Sequence, residues 1–428
     1  MSMLKELPKL LEAGIITDAV AADIEHYYRQ QKKSNSNRLF VAFGILGAIL
    51  VGLGVILILA HNWDTLPRIT KTVIAFLPLL VSQGVCAWAL FKKPDSTTWR
   101  ESGAALLFFA VGSAIALVSQ IYNIDGELYE FLFGWLLLCW PIIYVLRSSI
   151  ASLLFLSGIT YYAAESGYWN FPNIEPYWYW IFLALMLPHY YSLFKNQPKS
   201  NFLIFHNWMI PLSLTVTLGT VALDNGDLLF WGYMSLFGLF YLIGEKPFFT
   251  DQKARNNGFR FIGAIGSICI LLFFSFEFYW SELSELDGGI KQFLSGPEVI
   301  VTGVLTIVAL VLLAQHYNER GDGRIKPFAP VFVLFFITFV IGFFHPIAVV
   351  LTNLILLGLG VSTIFQGIKE DHLGILNFGL LIIAALAICR FFDEQLSFVL
   401  KGILFLLVGI GFFATNYSML KNRVHHEA

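Results

Sequence analysis

The chain has 428 residues, of which 57% are hydrophobic and only 13% are charged, with a formal net charge of -2. Soluble domains carry roughly 25% charged residues, so the usual solubilising charge is largely missing. No domain-wide basic field exists, which excludes the nucleic-acid-binding class. Composition therefore predicts an integral membrane protein without a nucleic-acid partner.

Residues 1–33 have the polarity of a soluble segment. Leucines recur at helical spacing up to Leu11, Gly14 interrupts the run, and Thr17 offers an N-cap to a second helix. This pattern predicts a cytosolic helical hairpin that, with its linker, occupies residues 1–38. The hairpin is interpreted either as a cap or self-association element, or as a docking site for a protein partner.

Residues 39–428 predict an all-α, polytopic transmembrane helix bundle of about fourteen helices, because a helix needs about 20 apolar residues to cross the hydrocarbon core. The predicted spans are 39–61, 69–91, 103–122, 129–146, 150–164, 177–194, 203–223, 228–244, 259–280, 298–316, 327–344, 346–367, 372–390 and 396–416.

Lysine and arginine residues are concentrated in alternate connections between these spans. With the N-terminus on one side of the membrane, 22 of the 27 basic residues fall on that same side. The opposite side holds Arg68, Lys71, Lys291, Arg390 and Lys401. Because short basic loops are retained in the cytoplasm, both termini are predicted to be cytoplasmic.

The first span carries small residues at four-residue spacing. Gly44, Ala48 and Gly52 share one helix face, and small residues let a second helix approach closely. We interpret the stripe as a helix-packing surface, with a ligand-facing groove as the alternative.

Two clusters of polar residues follow predicted spans that end on the outer side. They are His61, Asn62 and Asp64 after the first span, and Gln120, Tyr122 and Asn123 at the end of the third. Polar side chains at helix ends are commonly caps or interfacial anchors. Because both clusters reach the same interface, the alternative is one outward-facing polar pocket, in which His61 could take part in proton coupling.

Three stretches near the N-terminus resemble a known family. They are LLEAGIIT, GILGAILVGLGVILILAHNWDTLPR and SQIYNIDGELYEFLFGWLLLCWPIIYVLRSS, and they are similar to the bacterial membrane-protein family called domain of unknown function 2157. The resemblance covers residues 1–150, so residues 39–150 form a family-like core and residues 151–428 add further transmembrane helices. It implies a polytopic membrane protein of unassigned function and transfers no catalytic residue. We expect this protein in the bacterial inner membrane.

Polar groups inside predicted spans are the next candidates, because they are expensive in a membrane and often functional. They are Gln83, His189, Asn207, Glu277, Gln315, His316, Asn353, Asn377 and Arg390. Glu277 and Arg390 have opposite charge and both lie near outer helix ends. They could form a structural ion pair, extend separately to water, or form a gated pair on a transport path.

The common catalytic signatures are missing from the sequence. It contains no GxxxxGK[ST], HExxH or GxSxG motif, which argues against ATP-driven transport and against the commonest protease and hydrolase classes. The four cysteines lie in apolar segments without a CxxC pair. We therefore predict no catalytic residue, metal site or cofactor.

The leading hypothesis is a secondary transporter or permease for a small polar or lipidic compound. Membrane lipid and a small-molecule ligand are the expected partners. The alternative is a non-transporting scaffold or envelope-complex component that uses the N-terminal hairpin. An intramembrane transferase is a third class, and it would need acidic residues or histidines that converge in one outer cavity.

Overall fold

The computed structural model of the chain is all-α, with no strand in its described part. It describes residues 7–24, 63–170, 173, 175–223, 226–250, 254–284, 296–319, 326–392, 398–399, 401–403, 405–406, 409–411 and 413. The chain divides into two compact units, Met1–Phe76 and Leu77–Ala428.

The described part of the first unit begins with two short helices joined by a turn. Helix α1 covers Leu7–Glu12, and the described part of α2 covers residues 18–24. Gly14 between them has a φ of +67°, a left-handed conformation that glycine adopts without a steric penalty. The predicted hairpin boundary at residue 38 lies outside the described residues.

Helices with fully described bounds continue from residue 68. They are α3 (Arg68–Lys92), α4 (Thr97–Tyr122), α5 (Leu128–Val145), α6 (Ser149–Tyr168), α7 (Trp178–Asn196), α8 (Asn201–Leu218), α9 (Leu229–Gly244), α10 (Pro247–Thr250), α11 (Gly258–Phe273), α12 (Glu277–Ser284), α13 (Pro297–Glu319), α14 (Val331–Gly342), α15 (Ala348–Lys369) and α16 (Leu373–Phe391).

Eight segments of the described chain are long and apolar enough to cross a membrane. They are Arg68–Lys92, Thr97–Tyr122, Leu128–Val145, Asn201–Val221, Gly226–Gly244, Pro297–Asn318, Ala348–Lys369 and Leu373–Phe391. The prediction of a multi-pass helical membrane protein is confirmed. The total of fourteen spans stays a prediction, because the spans 39–61 and 396–416 lie wholly or partly outside the described residues.

The predicted span 259–280 is wrong in one respect, since it is two helices rather than one. Helix α11 ends at Phe273 and α12 begins at Glu277. The Trp280 indole N–H donates to the Phe274 carbonyl at 2.7 Å, and the Asn353 amide donates to the Ser275 carbonyl at 3.0 Å. Side chains thus take the carbonyls that the backbone of a continuous helix would have satisfied.

A glycine allows close packing of two helices in the second unit. A Cβ atom at Gly263 of α11 would lie 2.6 Å from the Phe237 carbonyl oxygen and 2.6 Å from the Tyr241 nitrogen of α9. The two backbones can approach to this distance only because position 263 has no side chain.

Candidate functional site

A polar cavity of about 460 Å³ lies at the end of the bundle where α4, α6 and α8 begin and α5 and α7 end. We call this end the basic end, because its helix ends and connections carry Lys92, Lys93, Arg100, Arg147, Lys195 and Lys199. The cavity is lined by Thr97, Arg100, Glu101, Ile143, Tyr144, Arg147, Ser149, Pro188, His189, Ser192, Leu193, Asn196, Gln197 and Phe202.

Glu101 in the wall of this cavity is a buried carboxylate that caps a neighbouring helix. It accepts hydrogen bonds from the backbone N–H groups of Ser149 at 3.0 Å and Ile150 at 2.8 Å, and from the hydroxyl of Ser148. The first N–H groups of a helix lack internal partners and carry partial positive charge. A residue of α4 therefore neutralises the N-terminus of α6.

Two arginines of the cavity wall are next to residues of this cap in sequence: Arg100 precedes Glu101, and Arg147 precedes Ser148. The Nε of Arg100 is buried and makes no hydrogen bond to the described residues. Arg147 occupies the turn between α5 and α6 with a φ of +48°, a left-handed conformation that is uncommon for a residue with a Cβ. Since Glu101 already accepts three hydrogen bonds, the arginines give the cavity its positive character.

One histidine, His189, lines the cavity, and a second, His206, lies beside it. The Nε2 of His189 is 3.4 Å from the Ser149 hydroxyl oxygen. His206 is fully buried, with Nδ1 2.7 Å from the Phe202 carbonyl oxygen and Nε2 2.9 Å from the Ser152 hydroxyl oxygen. A carbonyl only accepts, so Nδ1 carries the hydrogen, and we assign Nε2 as the acceptor of the Ser152 hydroxyl.

Polar contacts continue beside the histidines. The Tyr190 hydroxyl donates to Asn207 Oδ1 at 2.8 Å, and the rings of His189 and His206 are 6.2 Å apart. The Nδ2 of Asn207 is buried without a hydrogen-bond partner among the described residues. Pro211 of α8 has no N–H to donate to the Asn207 carbonyl four residues earlier.

A second polar layer lies further along α6. The Ser213 hydroxyl is 2.6 Å from the Thr160 hydroxyl and 2.7 Å from the Tyr179 hydroxyl. Beyond it, the Tyr162 hydroxyl donates to the Glu175 carbonyl at 3.0 Å. The polar groups on α6 that face α7 and α8, with their partners, are called the polar seam: Ser149, His189, Ser152, His206, Thr160, Tyr179, Ser213, Tyr162 and Glu175.

An apolar layer divides the polar seam. Phe155, Leu156 and Ile159 of α6 are fully buried between Ser152 and Thr160. The eight residue steps from Ser152 to Thr160 correspond to roughly 12 Å along a helix. The seam therefore has a basic-end half and a second half, with an apolar region between them.

The predicted outward pocket is only partly covered by the described residues. His61 and Asn62 lie outside them, and Asp64 is exposed in the short 3-10 helix Trp63–Thr65 of the first unit. Gln120 and Tyr122 are exposed at the end of α4, and the N–H of Asn123 caps that helix on the Ser119 carbonyl. The convergence of the two clusters stays a prediction.

Arg390 and Glu277 lie in different surroundings. Arg390 donates from Nη2 to the Ser275 hydroxyl at 3.1 Å, and its guanidinium lies 4.6 Å from the centre of the Phe276 ring. Glu277 is exposed in the first turn of α12, where a negative charge is favourable. Their pairing stays a prediction, and the packing residues Gly44, Ala48 and Gly52 lie outside the described residues.

His189 and Asn207 are among the intramembrane polar residues predicted from the sequence, whereas Glu101, Ser152 and His206 are not. One signal was available, since a Ser-Ser pair before the apolar run at residue 150 is typical of an N-cap. In the described part of the chain, no group of three His, Cys, Asp or Glu residues could hold a metal ion.

The N-terminal third of the chain matches a known protein family. No curated protein and no protein of solved structure matches the chain. Residues 8–152 match the model of a family described as a predicted membrane protein, domain of unknown function 2157, which confirms the resemblance seen in the sequence.

Proposed function

We propose that this multi-pass membrane protein is a secondary transporter or permease for a small polar or lipidic compound. The proposed path follows the polar seam and opens at the basic-end cavity. One observation carries the proposal: hydrogen-bonding side chains are buried on α6 on both sides of the apolar layer, in a protein of apolar helices.

Such groups are costly in a membrane, which is why they often mark substrate or ion pathways. Helices α6 and α7 have 20 and 19 residues, enough to span the hydrocarbon core. They do not reach the apolarity of the eight spanning segments given above. Their lower apolarity results from residues that form the seam, such as Ser152, Thr160 and His189, which favours a pathway between α6, α7 and α8.

The apolar layer at Phe155, Leu156 and Ile159 acts in this proposal as the barrier of the resting state. Opening requires α7 or α8 to move away from α6. Both helices contain an internal proline, Pro188 in α7 and Pro211 in α8. An internal proline removes one helical hydrogen bond and allows a bend at that place.

We further propose that the protein lies in the bacterial cytoplasmic membrane with both termini in the cytoplasm. The placement of 22 of the 27 basic residues on one side supports this orientation. The basic-end cavity then opens toward the cytoplasm.

Flux measurements on the full chain in proteoliposomes test the function. The solutes are glycerol, glycine and glycerol 3-phosphate, each with and without a proton gradient, and the lipid probe is fluorescent phosphatidylglycerol. We expect flux of at least one compound above that of empty liposomes, and loss of that flux in Ser152→Leu.

The matched control is Ser157→Leu. Ser157 lies on the same helix but is exposed on its outer face, so this variant should keep the flux. Ser152→Ala removes the hydroxyl without adding volume and separates blockage from misfolding. If no compound crosses, or if both leucine variants transport equally, the proposal fails. Loss of thermal stability in Ser152→Ala without any flux in the parent would favour the scaffold alternative, in which the seam serves as interhelical contact.

A further inference from the structure

We propose that the basic-end cavity binds a phosphate or phosphate-ester group through Arg100 and Arg147. This inference rests on the proposed function, since it names the substrate class for the same cavity. The phosphate can belong to a lipid headgroup or to a soluble compound, and the two sources present the same chemistry to the wall.

The charge of the cavity wall favours an anion. Its charged residues are Arg100, Arg147 and Glu101. The Glu101 carboxylate accepts three hydrogen bonds at the N-terminus of α6, one each from Ser148, Ser149 and Ile150, so its charge is already balanced there. The two guanidinium groups carry the charge that remains for a ligand.

Arg100 has an unsatisfied donor at this place. Its Nε is buried and has no hydrogen-bond partner among the described residues. A buried donor without an acceptor is costly, and more so when it belongs to a charged group. When the side chain turns this Nε toward the cavity, a phosphate oxygen supplies the missing acceptor, and guanidinium groups bind phosphate with two parallel hydrogen bonds.

Arg147 is held in a conformation that another residue would adopt more easily. It follows the C-terminus of α5 with a φ of +48°, a position where helices usually place glycine. Backbone strain of this kind concentrates at functional sites. Binding of a ligand in the cavity by its guanidinium group would explain an arginine at a position that favours glycine.

The rest of the wall provides neutral donors around the arginines. Thr97, Ser192, Asn196 and Gln197 all line the cavity, and Asn196 Nδ2 donates to the Ser192 oxygen at 3.1 Å, which leaves the Ser192 hydrogen to donate elsewhere. Phosphate has more acceptor oxygens than a carboxylate, so a wall with several donors in addition to two guanidiniums fits phosphate better. The volume of about 460 Å³ is within the range of small-molecule sites.

Binding is measured by calorimetry on the full chain in a neutral detergent at constant ionic strength. The soluble probe is inorganic phosphate, with acetate as the carboxylate control. The lipid probe is dihexanoyl phosphatidic acid, with dihexanoylglycerol as the phosphate-free control. The variants are Arg100→Gln, Arg147→Gly and, as a control, Lys195→Gln, which removes an exposed charge of the same end that does not line the cavity.

We expect Arg100→Gln and Arg147→Gly each to weaken phosphate binding by about tenfold or more, the scale of a charge-assisted hydrogen bond. Lys195→Gln should change it less than about twofold because Lys195 does not line the cavity. Arg147→Gly should also melt at the same or a higher temperature, since glycine relieves the left-handed strain. This result would show that the lost binding is not a loss of folding.

Binding of inorganic phosphate alone would identify a soluble phosphate compound, and binding of phosphatidic acid alone a lipid headgroup. Either result supports the inference. It is overturned if neither probe binds, if acetate binds as tightly as phosphate, or if the control weakens binding as much as the arginine variants do. Phosphate binding without any flux would refute only the proposed function, and flux of a phosphate-free solute without phosphate binding would refute only this inference.

Discussion

The carboxylate of Glu101 accepts a hydrogen bond of 2.8 Å from the backbone N–H of Ile150, 49 residues further along the chain. A side chain at the start of α4 thus completes the N-terminus of α6. This long-range cap fixes the wall of the basic-end cavity, and it places the first residues of the polar seam next to that cavity.

Replacement of Glu101 tests this cap. Glu101→Gln keeps the shape but removes the charge and one of the two acceptor oxygens, because the amide NH2 group cannot accept a hydrogen bond. We expect a loss of roughly 1–3 kcal/mol in stability, the scale of a charge-assisted hydrogen bond. Thermal unfolding in detergent measures it, with Asp95→Asn as the control, since Asp95 is exposed in the preceding loop. Equal melting temperatures for the two variants would remove the cap from the account.

A double-mutant cycle tests the contact between Ser152 and His206. Their side chains are fully buried and 2.9 Å apart, so each single replacement leaves the other partner unsatisfied. We expect the stability losses of Ser152→Ala and His206→Ala to be non-additive, with a coupling of about 0.5–1.5 kcal/mol. Additive losses would mean that the two residues do not interact.

Much of this architecture could be predicted from local sequence, and much of the site could not. Helix α4 ends where the predicted span 103–122 ends and begins six residues before it, because an apolar run marks a membrane helix directly. The break at residues 274–276 could not be predicted, since it depends on Asn353 and Trp280 taking backbone carbonyls. The capping role of Glu101 could not be predicted either, because its partners are distant in sequence.

Two glycines offer opposite outcomes for the same substitution. Gly263→Ala would place its Cβ 2.6 Å from the backbone of α9, whereas Gly303→Ala would meet no atom within 4 Å. We expect Gly263→Ala to lower the melting temperature. Gly303→Ala should leave it unchanged or raise stability by up to about 1 kcal/mol, from the helix propensity of alanine. Similar shifts in both variants would contradict the close approach of α9 and α11.

The ion pair between Lys326 and Glu370 provides a test of pH dependence outside the spanning segments. Burial would raise the pKa of the Glu370 carboxyl, but hydrogen bonds from Lys326 and Gln366 and the charges of Lys326 and Arg260 together lower this pKa from its usual 4.5. A lowered folded-state pKa means that the stabilisation is complete above the unfolded-state value and is lost as pH falls through the folded-state value.

We therefore expect Glu370→Gln to reduce stability near pH 7 by only about 0.2–1 kcal/mol, because the pair is partly exposed. The difference from the parent should disappear below pH 4.5. Thermal unfolding of both proteins across this range measures it. A difference that grows as the pH falls would have the wrong sign for this pair.

Water access along α6 tests the central claim most directly, since a transport path must admit water at least from one side. Single cysteines replace Ser149, Ser152, Ser157 and Thr160 in a chain whose own four cysteines are changed to alanine. A membrane-impermeant thiol reagent is then added to each side of oriented proteoliposomes. We predict labelling at positions 149 and 152 from the basic end, no labelling at the lipid-facing position 157, and none at position 160 from the basic end in the resting state. Labelling at 152 no faster than at 157 would contradict a pathway between α6, α7 and α8.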